Sequence, residues 1–66
     1  ESVSKTIARI KAAMTELPEK YRTVLSLNLL EGYDHDEISG LLGITTSTSR
    51  AQLSRGKQKL LAILKN

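Results

Sequence analysis

A chain of 66 residues has room for one domain with a small core, and its 39% hydrophobic content is almost all Leu, Ile, Val and Ala, with two Tyr and no Phe or Trp, which suits packed helices. With no Cys there is neither a disulfide framework nor a thiolate metal site; no apolar run nears the roughly 18 residues of a membrane span and no signal peptide is evident, so a cytoplasmic module of a longer protein is expected. The net charge of +3 is unevenly spread, with +2 on residues 1–14, −4 on residues 15–40 and +5 on residues 50–66, and a basic block on one element is what a polyanion partner needs.

Four helices are predicted, at about 3–16, 18–31, 35–42 and 46–65. In the first, Val3, Ile7, Ile10, Met14 and Leu17 recur every three or four residues, with Lys5, Arg9 and Lys11 off the stripe. Pro18 ends that stretch and serves as an early residue of the second helix, where its missing N–H has no partner to lose, and Glu19 favours the positive end of the helix dipole. The second helix stops at Gly32, a natural left-handed terminator. Val24 and Leu27 are expected to face inward, while Leu25 and Leu29 form a neighbouring row to be covered by the first helix or by another protein.

The third helix has three agreeing start signals: Asp34 as N-cap, Glu37 three residues later to reach back to the cap's own N–H, and Tyr33 placed to pack on Ile38. Ile38, Leu41 and Leu42 give it a short apolar face. Gly43 then permits a sharp turn before Ile44 returns to the core, and the fourth helix starts near Thr45 or Thr46. Helix, short glycine-containing turn, apolar residue, hydroxyl cap and helix make up a helix-turn-helix layout.

Stepping about 100° per residue along the fourth helix puts Ser49, Leu53, Gly56 and Leu60 on one side, the packed side. Ser47, Ala51, Ser54 and Gln58 fall opposite, with Arg50 and Lys57 on one flank and Thr48, Gln52, Arg55 and Lys59 on the other. A small, polar free face bordered by cations can enter a major groove, because short side chains allow close approach while Arg and Lys reach base edges or phosphates. The hydroxyl run Thr45 to Ser49 and the first amides of that helix are natural phosphate donors. The acidic third helix is expected to point away from DNA.

Residues 17–60, "LPEKYRTVLSLNLLEGYDHDEISGLLGITTSTSRAQLSRGKQKL", resemble region 4 of bacterial sigma factors, in particular the extracytoplasmic-function (ECF) group. The resemblance is carried by an LPxxYR start, an EGxxxxEI middle, an LGI turn and a final R-x-x-L-x-R-x-K-x-K-L helix, an ordered set covering about two-thirds of the chain. It implies an all-α small bundle of the four-to-five-helix type with a C-terminal helix-turn-helix and no wing, spanning 1–66 as one domain. It also implies binding of the promoter −35 element within RNA polymerase holoenzyme, nucleoid association in that state, and contact with the polymerase beta-flap and, in many members, an anti-sigma factor. Positions matching the family's base-reading face are Arg50, Ala51, Ser54 and Arg55; those matching its backbone-contacting positions are Thr46, Thr48, Gln52 and Lys57, with Lys59 adding diffuse attraction. Leu25 and Leu29 would suit the protein contacts. The chain departs from the family at Ser49, usually aliphatic, at Gln52, often basic, and at Gly56, commonly Ala.

Plainer readings stand beside these. Thr45 to Ser49 are explained by capping alone, His35 is expected to be solvated, and Asp34, Asp36 and Glu37 are explained by capping and lack the rest of a calcium loop. With one His and no Cys no metal site is expected, and neither a cofactor, a small-molecule substrate nor a membrane is implied. No nucleophile–base constellation or phosphate loop is present, so the module is not expected to be an enzyme. Two other functions fit the layout: the DNA-binding output domain of a response regulator, which would dimerise on spaced half-sites, and a protein-interaction module whose basic helix binds an acidic partner.

Overall fold

The computed structural model describes residues 3–65. Four helices follow in chain order: α1 (Val3–Met14), α2 (Glu19–Leu25, continuing through a π-helical turn at Ser26–Leu30), α3 (His35–Leu42) and α4 (Thr46–Lys65). There is no strand among the described residues, so the all-α helix-turn-helix expected from the sequence is the fold found.

The connection between α1 and α2 is tighter than expected. Thr15, Glu16 and Leu17 donate to carbonyls three residues back, at 3.3, 3.1 and 3.1 Å, so α1 closes at Met14 instead of continuing to residue 16. Thr15 Oγ1 also donates to the Ala12 carbonyl at 2.6 Å, competing with the next helical bond. Pro18 is the N-cap of α2, with φ −53° and ψ 146°, not its first helical residue. Its carbonyl accepts from the amides of Tyr21 and Arg22 at 3.1 Å each. Arg22 Nη1 donates to the Leu17 carbonyl at 3.3 Å and ties the corner together.

At the far end of α2 the Glu31 amide reaches back five residues to the Ser26 carbonyl, 3.1 Å. Gly32 (φ 78°) then turns the chain, the Tyr33 amide donates to Leu27 at 2.9 Å and Asn28 Nδ2 donates to the Tyr33 carbonyl at 2.9 Å. Asp34 and Glu37 form the reciprocal capping box that the sequence suggests, with the Glu37 amide 2.8 Å from Asp34 Oδ1 and the Asp34 amide 3.1 Å from Glu37 Oε1. Gly43 takes the left-handed conformation, φ 67° and ψ 34°, and the amides of Gly43 and Ile44 both donate to the Ser39 carbonyl. The Ser39 hydroxyl donates to the Ile44 carbonyl, so one serine braces the whole turn. Thr45 caps α4, its Oγ1 accepting from the Thr48 amide at 3.0 Å.

The core consists of Ala13, Met14, Leu17, Tyr21, Val24, Leu25, Ile38, Leu53 and Leu60, with Ile10, Leu27, Tyr33, Ile44, Ile63 and Leu64 half-buried against it. Helix α2 is central, because Tyr21, Val24 and Leu25 at spacings of three and four give it a wide buried stripe. This corrects the expectation for Leu25, which is fully enclosed and cannot offer a partner surface, whereas Leu29 is 45% exposed. The cover over Leu25 comes from α4: a Cβ on Gly56 would stand 3.1 Å from Leu25 Cδ1 and 3.3 Å from Tyr21 Cβ. Two apolar faces are also less buried than their periodicity predicts. In α1 burial begins at Ile10, with Val3 and Ile7 exposed beyond the reach of the bundle, and in α3 only Ile38 is enclosed while Leu41 and Leu42 are exposed.

The glycines give opposite expectations. Gly40 lies within α3 with open space around its Cβ position, so Gly40→Ala should stabilise by about 0.5–1 kcal/mol. Gly43 has equal space but a positive φ, so Gly43→Ala should cost about 1–2 kcal/mol. At Gly56 the neighbours are close, and Gly56→Leu should overpack the α2–α4 contact by about 1–3 kcal/mol. Urea denaturation followed by circular dichroism measures all three; a destabilising Gly40→Ala or a neutral Gly56→Leu would contradict this packing.

Candidate nucleic-acid interface

Helix α4 is long and regular, so its faces follow the helical step closely. Ser49, Leu53, Gly56 and Leu60 are its four buried positions, the same four that the spacing selects. Ser47, Ala51, Ser54 and Gln58 on the opposite side are all exposed. Arg50 and Lys57 on one flank and Arg55 on the other are exposed, while Thr46, Thr48 and Gln52 are half-buried along the edges. The structure thus gathers Arg50, Ala51, Ser54 and Arg55 around one solvent-facing strip about two turns long.

No acidic residue occurs in α4, so its cations meet no carboxylate on their own helix, and Lys65 in the last turn is favourably placed against the helix dipole. Lys59 differs from the others. Its Nζ lies 5.7 Å from the centre of the Tyr21 ring, and Lys20 Nζ lies 5.1 Å from the same ring, close enough for cation–π attraction. Lys59 is therefore turned toward α2 and away from the strip.

Beside Gln52 runs an open groove of about 460 Å³, lined by Glu19, Lys20 and Thr23 of α2, Leu42 at the end of α3, Ile44 of the turn, and Gln52 itself. Lys20 lines this groove from another helix, with its ammonium drawn to the Tyr21 ring, a placement that periodicity within α4 has no means of revealing. Thr45 and Thr48 hold each other through their hydroxyls at 2.9 Å, so part of the hydroxyl run serves the helix start. Ser47 remains exposed on the strip.

His35 corrects the sequence expectation of a solvated side chain. It is half-buried, and its Nδ1 lies 2.8 Å from Oγ of the fully enclosed Ser49. The signal for this pair was present: a hydroxyl in the middle of a buried stripe requires a partner. Among the described residues no group of His, Asp or Glu is arranged to hold a metal ion, and no helix is long and apolar enough to cross a membrane.

Comparison with known proteins agrees with this geometry. The family described as "Sigma-70, region 4" matches residues 7–60. The chain is 38% identical over 55 residues to the RNA polymerase sigma factor SigZ of Bacillus subtilis, covering 83% of this chain and 31% of that protein. It is 36% identical over 53 residues to the ECF RNA polymerase sigma factor SigE of Mycolicibacterium smegmatis, covering 80% of this chain and 21% of that protein. The matched part thus spans less than a third of either relative. No solved structure matches. Helix-turn-helix, basic outward strip and sequence agree, and the chain belongs to the sigma-70 region 4 family.

Proposed function

We propose that this chain reads the −35 element of promoters as the region 4 domain of an ECF-type RNA polymerase sigma factor, with no catalytic activity of its own. The observation that carries the reading is the outward strip of α4, whose small residues Ser47, Ala51 and Ser54 are exposed between flanking Arg50, Lys57 and Arg55. A helix so built can sit deep in the major groove, with arginines at base edges and the edges of the helix against phosphates. In this reading Arg50, Ala51, Ser54 and Arg55 face bases, and Thr46, Thr48, Gln52 and Lys57 face the backbone. Lys59, drawn to Tyr21, contributes charge at a distance.

The domain works in the cytoplasm as part of holoenzyme, on the nucleoid, with core polymerase holding it through the beta-flap. Exposed Leu29, with Leu30 beside it, is offered to that flap or to an anti-sigma factor in place of the enclosed Leu25. Acidic Asp34, Asp36 and Glu37 lie at the start of α3, and their repulsion from phosphate favours approach with α4 first.

Selection from a random duplex pool at low salt tests this reading. Enrichment of one short asymmetric motif is expected; paired half-sites would indicate a dimeric regulator instead, and binding without enrichment that vanishes with salt would leave only a basic patch. On the selected site, Arg50→Ala or Arg55→Ala should cost about 1–3 kcal/mol and relax preference at one base position. A uniform loss on all sequences would assign that arginine to phosphate. Lys57→Ala should weaken selected and random DNA alike and lower the slope of log affinity against log salt by about one; an unchanged slope would contradict its role.

A further inference from the structure

Ser49 is the one polar residue among the described residues that is fully enclosed in the core. Its Oγ meets Nδ1 of His35, 14 positions earlier in the chain, at 2.8 Å. His35 opens α3 directly after the Asp34 cap, whose reciprocal bonds with Glu37 fix that end of the helix. Ser49 lies in the first turn of α4, between Thr48 and Arg50. The pair therefore joins the anchored start of one helix to the first turn of the other, next to Arg50.

We infer that His35 is a positioning residue for promoter readout, fixing through Ser49 Oγ the first turn of α4 and hence the placement of the adjoining Arg50 and Thr48. This rests on the DNA-reading function proposed above. The other inward contacts of α4 lie at its middle and far end, at Leu53, Gly56 and Leu60. The close approach at Gly56, where a Cβ would stand 3.1 Å from Leu25 Cδ1, fixes α4 against α2 about two turns beyond Ser49. The Ser39 brace holds the turn before Thr45, ahead of the helix itself. The His35–Ser49 bond holds the first turn of α4 to the start of α3. It is directional, and breaking it leaves two poorly hydrated polar atoms without partners. A serine hydroxyl rotates to donate or to accept, so the bond holds with either imidazole tautomer.

Three sets of variants in this chain separate positioning from simple burial. His35→Phe keeps a ring and removes the nitrogen, His35→Asn keeps a polar atom near the place of Nδ1, and the double variant His35→Phe with Ser49→Ala removes both partners and leaves no buried polar group. Each is first checked for helicity by circular dichroism, and Ser49→Ala alone takes the place of His35→Phe if that variant does not fold. The readouts are the urea midpoint and the ratio of affinities for the selected site and for random duplex. Positioning predicts that the double variant regains the stability lost in His35→Phe while both lose about tenfold in that ratio, and that His35→Asn retains most of it. If the ratio instead follows stability, so that the double variant recovers both, the pair merely satisfies burial and the inference falls while promoter reading stands. If the unsubstituted chain shows no preferred site, the proposed function fails and takes the inference with it.

Discussion

Helix α4 lies against α2 without a side chain between them at Gly56, where a Cβ would come within 3.1–3.3 Å of Leu25 and Tyr21. That approach sets the inner face of α4 and, by subtraction, its outer face. With Leu53 and Leu60 buried one turn on either side of Gly56, the residues half a turn away are committed to solvent. The same contact encloses Leu25 and brings the Lys59 ammonium over the Tyr21 ring. A leucine that the sequence leaves open for a partner is thus enclosed within the α2–α4 contact. A helix interior normally disfavours glycine by about 1 kcal/mol against alanine, and here the tight packing offsets part of that difference.

What the sequence reveals depends on how local each determinant is. The faces of α4 are legible because twenty residues of uninterrupted helix accumulate little angular error, and the Asp34–Glu37 box because its partners are three residues apart. The faces of α2 are harder to read: Leu25 shares a buried stripe with Tyr21 and Val24, and the π-helical turn after it breaks the constant angular step on which a wheel depends. Exposure of Val3, Ile7, Leu41 and Leu42 is a property of where the bundle ends, which periodicity within one helix does not contain. His35 and Lys20 belong to the same class, since each acquires its place from α4, a different element.

The sorting of charge along the chain acquires a structural meaning. The acids of Asp34, Asp36 and Glu37 concentrate at the start of α3, where they cap the helix and complement its dipole. The cations concentrate on α4, which lacks acids altogether. The short braced turn at Gly43 and Ser39 keeps these two opposite charges on neighbouring helices.

The most direct test of the account is to follow backbone amide chemical shifts of the chain by nuclear magnetic resonance as the selected duplex is added. The account predicts that the largest changes run along the outer strip and its edges, from Ser47 through Arg50, Ala51, Ser54 and Arg55 to Lys57, with little change at Leu29 and Leu30. Changes centred instead on α1 around Lys5, Arg9 and Lys11, or on the end of α2, would contradict the assignment of α4 as the helix that reads DNA.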